Sequence, residues 1–348
     1  MQGGDVKQAV FASMLFALVV SVSFARPPMP PPDMRAAPGK AGWSVDDRTG
    51  CWIWNASPKR NQTVHWSEGC SPVGRAMGRG ILEWQSGGKV SRYEGELRYG
   101  ELNGRGIYTA PNGDRYEGQY RDGKRDGQGI LTWADGERYE GEFQAGKMNG
   151  QGVYVEATGN RYEGEFRDGQ RDGTGAYTWA NGDRYVGQFH GGKRHGRGVY
   201  TWVNGEQYVG EFRDGKMEGR GVMTRPNDDR YEGEWRDGER NGHGVWTTST
   251  FRYEGEFRDG QPNGRGVTTM TSGQRLVGDF RDGVIHGHGV FTSANGNRFE
   301  GEWHDGRADG RGVYRQKNGK VFEGKWVNGC FREGDTRIAV GRPAKECH

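Results

Sequence analysis

The sequence predicts an all-β protein: an elongated, single-layer antiparallel sheet of about eleven stacked 23-residue β-hairpins. Three observations carry that expectation. The first is self-similarity at a fixed period, which decides the fold of a repeat protein before any motif does. Tyr93 opens YEGELRYGELNGRGIYTAPNGDR, Tyr116 opens YEGQYRDGKRDGQGILTWADGER, and the frame restarts at Tyr139, Tyr162, Tyr185, Tyr208 and Tyr231. It returns one residue early at Tyr253, then at Leu276, Phe299 and Phe322, giving ten full units and a truncated eleventh. The second is punctuation. Asx-Gly pairs such as Asn112-Gly113 and Asp122-Gly123 separate short β-branched and aromatic runs, the strongest short-range hairpin signal. The third is the lack of any 3.6-residue apolar period in residues 93–329.

Composition agrees. The 64 glycines among 348 residues are more than twice the usual ~7% share. Leu, Ile, Val and Phe make up roughly 15% of the chain, below the ~20% at which disorder is suspected. The 12% aromatic content and a net charge of only +3 oppose disorder. The chain is therefore expected to fold without a thick aliphatic core. Its 49 basic and 46 acidic residues provide no whole-protein attraction to nucleic acid, and no nucleic-acid partner is expected.

In chain order, residues 1–25 read as an export signal. Lys7 precedes an apolar stretch from Ala9 to Ala25, and Ser23 and Ala25 occupy the −3 and −1 positions of a small-residue cleavage site. The stretch is long enough that an uncleaved membrane anchor stays open as the alternative. Residues 26–42, beginning RPPMPPPDMRAAPGK, form a stiff polyproline-type linker. Residues 43–92 concentrate Trp52, Trp54, Trp66 and Trp84, with Gly74, Gly78 and Gly80 resembling a degenerate half-repeat; an N-terminal cap is expected there. The repeat array spans 93–329, and residues 330–348 form a C-terminal cap or tail. Cys51, Cys70, Cys330 and Cys347 flank the array. In an oxidising compartment four cysteines allow three connectivities; the pairs nearest in sequence, Cys51–Cys70 and Cys330–Cys347, are the expectation. Their spacings match no zinc pattern. Localisation outside the cytoplasm, periplasmic or secreted, follows. Asn55-Ala-Ser57 and Asn61-Gln-Thr63 are glycosylation acceptors if the source is eukaryotic.

Within the array each unit has a fixed grammar. Position one is aromatic (Tyr93, Tyr116, Tyr139, Tyr162, Tyr185, Tyr208, Tyr231, Tyr253, Phe299, Phe322; Leu276 excepted), position three is Gly, and position five is aromatic except at Leu97. A Gly-x-Gly element and a β-branched or aromatic run follow, as in Gly196 to Trp202. Side chains alternate faces along a strand, so Tyr231, Gly233 and Trp235 share one face, and so should Gly196, Gly198 and Tyr200. Rings are expected to lie over glycines, the aromatic rescue of an otherwise weak strand residue. The other face should carry Glu at positions two and four opposite Arg, Val and Thr. About 22 strands at ~4.8 Å spacing give a sheet on the order of 100 Å long.

The pattern from Tyr162 to Gly175, and again from Tyr231 to Gly244, resembles the MORN repeat over about two thirds of the chain. The resemblance implies stacked hairpins in one twisted antiparallel sheet. It also implies scaffolding or protein binding and, in some members, association with membranes or phosphoinositides. Val186, Val209 and Val277 stand where the pattern has Glu, and the unit from Tyr231 lacks its closing Gly. Local irregularity is expected over 248–278.

No catalytic constellation is expected. Glu117, Glu140, Glu142, Glu163 and Glu165 recur unit by unit, as a single active site would not, and the Gly-x-Gly elements open strands rather than helices. His286 and His288 share strand parity, with His304 in the next hairpin, and read as solvated polar filler rather than metal ligands. No cofactor or metal is expected. The function expected is a non-catalytic extracytoplasmic scaffold that binds a protein partner, or itself, along the sheet. The alternative is an envelope-surface binder in which rings stack on polysaccharide or turns such as Lys193-Arg194 meet anionic lipid head groups.

Overall fold

The computed structural model describes residues 41–347. The signal segment and residues 26–40 of the linker lie outside them. The described chain is almost entirely antiparallel strand, ending in a short 3-10 turn at Ala344–Glu346. It divides into two compact units, one of residues 41–181 with 189–192 and one of residues 182–188 with 193–347.

In the first unit a hairpin of Gly42–Val45 and Trp52–Asn55 precedes a meander that starts at Thr63–Trp66, continues through Gly78–Ser86 and Lys89–Arg98, and runs to Gln170–Thr178. In the second unit the meander runs from Lys193–Thr201 to Val321–Trp326, and a separate hairpin of Cys330–Glu333 and Thr336–Ala339 follows. Among the described residues neither meander closes on itself: Thr63–Trp66 pairs with Gly78–Ser86, and Val321–Trp326 with Arg307–Arg315.

Two turn chemistries alternate. At Asp168-Gly169 both residues are left-handed, with φ of 52° and 88°, the geometry of a two-residue hairpin turn whose twist matches its strands. At the other end of each hairpin, Gly113 donates its N–H to Ala110 O at 3.0 Å and Ala110 donates to Asp114 O at 2.8 Å, with Gly113 at φ 98°. This is a type I turn closed by a glycine bulge. The unit from Tyr231 closes one residue shorter, through Thr248 N–H to Phe251 O at 2.8 Å, which accounts for the early restart at Tyr253 without disturbing the pairing that follows.

The ring face is built as the alternation requires, with one correction. Tyr162 lies against Gly164 of its own strand and Gly175 of the paired strand, where an added Cβ would stand 2.5 Å from its hydroxyl oxygen. Its hydroxyl donates to Glu165 O at 2.9 Å. Its ring meets Phe166 and Phe189 edge-on, with centroids 5.1 and 5.0 Å apart. Such contacts contribute ~0.5–1.5 kcal/mol each beyond area burial, and Tyr139, Tyr208, Tyr231 and Tyr253 repeat them.

The correction concerns the first glycine of each Gly-x-Gly, which does not share the face of the second. Register shifts between Gly164 and Phe166, where Asp172, Gly173 and Thr174 stand opposite Glu165 alone, so the strand Gln170–Thr178 carries two extra residues at that point. Gly173 sits there at φ 102°, with the Glu165 carboxylate 2.7 Å from where its Cβ would be. A bulge interrupts the two-residue alternation, and parity counted inside it fails. In the unit that starts with Leu276, where the ring is missing, Ile285 reaches back over Gly278 and Gly289.

At the chain's ends other rings do the same work: Trp66 covers Gly80, and Phe331 covers Gly324. Cys51 is bonded to Cys70 and Cys330 to Cys347, which fits an oxidising compartment. Among the described residues no helix is long and apolar enough to cross a membrane.

Candidate functional site

The ring face is closed to ligands. Tyr93, Tyr139, Tyr162, Tyr185, Tyr208 and Phe299 are fully buried, covered by one another and by arginines lying flat on them. Arg240 stands 4.4 Å above the Trp246 ring and 5.6 Å from Tyr231. Burial pushes the Tyr185 phenol up to about 12 and holds the Arg240 guanidinium below its ordinary value. The repeat-defining rings are therefore not exposed for stacking on sugars, because each already fills the space above its glycines.

The polar face is the accessible one, and its two carboxylate positions have different duties. Position-two glutamates pair along their own strand with the residue before position one: Arg115 with Glu117 at 2.7 Å, Arg161 with Glu163 at 2.6 Å, Arg230 with Glu232 at 2.6 Å. Position-four side chains close the bulges instead. Glu165 accepts from Thr174 N–H at 2.8 Å, Gln188 from Arg197 N–H at 3.2 Å and Glu302 from Arg311 N–H at 3.2 Å. Hydrogen bonds from the Thr174 hydroxyl and backbone hold the Glu165 carboxyl below its usual range. These are structural assignments that the repeat grammar did not reveal. The available signal was the Glu, Gln or Asp that recurs at position four wherever a Gly-x-Gly follows.

The position-two residues form a row across the strands with the apolar residues they pair with. In the first unit it alternates without exception: Ile107, Glu117, Ile130, Glu140, Val153, Glu163. In the second unit the alternation breaks at three position-two residues, Val186, Val209 and Val277. Val209 stands between Val199 and Val222, and Val277 between Val267 and Val290, each directly paired across the ladder. Val209 is 45% exposed. These two apolar triplets lie in one trough of 1390 Å³, with Arg197, Arg220, Arg265 and His288 along it facing Glu211, Glu234 and Asp279. Ligand pockets for small molecules run ~300–1,000 Å³, so the trough has the size of a segment of chain. Arg275, which precedes Val277, has no carboxylate at the position where its counterparts find one.

The histidines are not all together. His288 lines the trough, while Gly287 at φ 83° turns His286 away, into a separate pocket with His304. Of the two glycosylation motifs, Asn55 is buried and its amide donates to Ser44 Oγ and Gln62 Oε1, whereas Asn61 is exposed.

An open hairpin meander with one sealed face and one solvent-facing, laterally ordered face defines a repeat-type interaction module. The MORN-repeat model matches ten consecutive segments from 93–115 to 299–321, and the chain belongs to the MORN-repeat family, whose members are generally binding and scaffold modules. No curated protein matches the chain. Solved structures with some likeness include the TCP domain of Drosophila melanogaster SAS-4 (dCPAP) in complex with a proline-rich motif of Ana2 (dSTIL), 12% identical, covering 57% of this chain and 90% of that one, TM-score 0.25. The TCP10 domain of Danio rerio CPAP is 14% identical, covering 63% and 99%, TM-score 0.23. Virginiamycin B lyase from Staphylococcus aureus is 12% identical, covering 76% and 89%, TM-score 0.14. At such scores none of them bears on fold or function.

Proposed function

We propose that this chain is a non-catalytic extracytoplasmic scaffold that binds a protein partner, or a second copy of itself, along the trough of its second unit. The observation that carries this is the pair of valine triplets, Val199–Val209–Val222 and Val267–Val277–Val290, on a face that alternates with Glu through the first unit. Polar rims around apolar strips are the usual anatomy of protein interfaces. Catalysis has no support: position-four carboxylates are engaged with bulge N–H groups and position-two carboxylates with arginines. Lipid recognition is disfavoured because the trough's arginines face carboxylates across the strands, which dilutes local positive potential within a Debye length of ~8 Å.

The test uses Val209→Glu and Val277→Glu together, which restore the residue of the neighbouring repeats. Exposed pairs are worth ~0–1 kcal/mol, so thermal unfolding should not shift measurably. Crosslinking in the native compartment and light scattering of the purified chain then report partner capture and self-association. Loss of either in the double variant, with unfolding unchanged, is the expected result. Capture and assembly that survive both substitutions, or flotation with anionic vesicles as the sole association, would overturn the proposal.

A further inference from the structure

We propose that His286, His304 and Asp305 bind a divalent transition-metal ion of the Zn²⁺ type. The three side chains come from adjacent hairpins: His286 from the strand Val284–Thr292, His304 from the end of Arg298–His304, and Asp305 from the turn that follows. One donor atom from each lies within 4.8 Å of the other two. His286 Nδ1 is 3.4 Å from Asp305 Oδ1, and His304 Nε2 is 3.5 Å from Asp305 Oδ2. Ligands ~2.0–2.1 Å from a tetrahedral ion stand about 3.3 Å apart, so each imidazole is already near the required distance from one of the two Asp305 carboxylate oxygens. The remaining edge between the imidazoles, whose ring centroids are 4.8 Å apart, closes by rotation of the exposed His304 side chain.

What sets this place apart is the repeat's own grammar. At the position of His286 other hairpins hold Asp126, Asp172, Glu218 or Asp309, and each accepts a backbone N–H from the next turn, at 3.2, 3.4, 3.1 and 2.9 Å respectively. At the position of His304 they hold Arg121, Arg167 or Arg213, each paired to that acid of its own hairpin. Here imidazole stands at position eleven of one hairpin and position six of the next; the other unit with His at these positions, at His190 and His195, carries both on one hairpin. His286 Nδ1 is left buried with no hydrogen-bond partner, directed toward the Asp305 carboxylate. Buried polar atoms are normally satisfied, and a metal ion is the occupant that satisfies two imidazoles and a carboxylate at once. Imidazole with one carboxylate suits Zn²⁺, Cu²⁺ or Ni²⁺, whereas Ca²⁺ and Mg²⁺ favour all-oxygen sites. Three protein ligands leave one position for water, in a pocket of 550 Å³ that Glu302 and Asp309 also line.

The rival occupant is a proton, giving a charged His286–Asp305 pair without metal. The second His-carboxylate cluster, Asp46, Asp47 and His65, serves as the control. Asp46 already accepts from Arg48 N–H, Thr49 Oγ1 and Trp66 N–H, so its lone pairs are committed.

The experiment is calorimetric titration of the intact, oxidised chain with ZnCl₂ at neutral pH after chelator dialysis, with thermal unfolding in parallel. One equivalent should bind and raise the unfolding midpoint. His286→Asn and His304→Arg install the residues that neighbouring hairpins carry at Asn263 and Arg281, so folding is retained. Each should weaken binding by at least about tenfold, as loss of metal-site groups does, with the midpoint of the metal-free protein unchanged. His65→Asn should leave binding intact. Absence of a bound equivalent, undiminished binding in the His286→Asn/His304→Arg double variant, or binding abolished by His65→Asn would each refute the site. So would a midpoint that shifts with pH through His286 but not with Zn²⁺.

Discussion

Replacing Gly175 by Ala tests whether ring over bare backbone is what holds the hairpins together. The new Cβ would stand 2.5 Å from Tyr162 Oη and 2.6 Å from Cε2 and Cζ, whereas carbon contacts are comfortable near ~3.5–4.0 Å. The ring must move about 1 Å to restore such a contact, and it is pinned. Moving it breaks the hydrogen bond to Glu165 O and loosens the edge-on contacts with Phe166 and Phe189. One hydrogen bond at ~0.5–1.5 kcal/mol, two aromatic contacts at ~0.5–1.5 kcal/mol each and overpacking at ~1–3 kcal/mol put the loss at about 2.5–7.5 kcal/mol. Gly175 has no positive φ, so backbone strain adds nothing. Gly169→Ala is the matched control: φ is 88° with nothing within 4 Å, and its cost is the left-handed penalty alone, ~1–2 kcal/mol. Urea unfolding ranks the two variants, and hydrogen exchange read by mass spectrometry locates the loss at residues 162–178. Tyr162→Leu should partly rescue Gly175→Ala, since a unit with Leu276 at the ring position already folds; a coupling above ~1 kcal/mol is expected for groups in contact. If Gly169→Ala costs as much as Gly175→Ala, or if the double variant is merely additive, the ring-on-glycine account fails.

Two further outcomes follow from the same packing. Folding raises the Tyr185 phenol from 10.0 to about 12, so between those values the folded chain holds a proton that the unfolded chain has lost. Its contribution, ~3 kcal/mol at 1.36 kcal/mol per unit, is complete below pH 10 and disappears as pH rises through the folded value. Tyr200, also raised to about 12 by burial and by its bond to Asp183, acts in the same direction. Unfolding should therefore be steep between pH 10 and 12, with phenolate absorbance and loss of the β-sheet signal coincident; gradual ionisation with the sheet intact would contradict it. Replacing Cys330 and Cys347 by Ser should remove about 3 kcal/mol, confined to the end of the array where Phe331 covers Gly324. Exchange protection lost uniformly along the chain would show that the tail is not a local cover.

The hairpins were legible because period and turn chemistry are local. Twenty-three residues, Asx-Gly turns and a Tyr two positions before a Gly specify the pairing without reference to distant contacts. What parity could not deliver was anything inside a bulge. Counting faces through Gly173 or Gly287 assumes unbroken alternation, but three residues stand opposite one there and the alternation is lost inside the bulge; hence the first glycine of each pair and the separation of His286 from His288 were both misplaced. The closure of the ring face was hidden for a different reason. Arg240 and its counterparts are polar in sequence, yet their planar heads lie on rings 4.4–5.8 Å below and complete the burial. The trough needed the ladder register as well, since Val199, Val209 and Val222 become neighbours only across strands.

That register also explains why the second unit can differ where it does. The ring face and the bulge caps admit little change, because each residue there excludes a Cβ or satisfies a buried N–H. Position two carries no such duty. Its Glu reaches only an exposed Arg on its own strand, an interaction worth ~0–1 kcal/mol, so Val at 209 or 277 costs the fold almost nothing. It also joins two valines that Glu otherwise keeps apart. Three β-branched residues in contact across adjacent strands gain modest cross-strand packing while creating an apolar strip that water covers poorly. Variation at the position that folding constrains least, occurring twice in a single trough, is what the proposed binding along the valine face rests on.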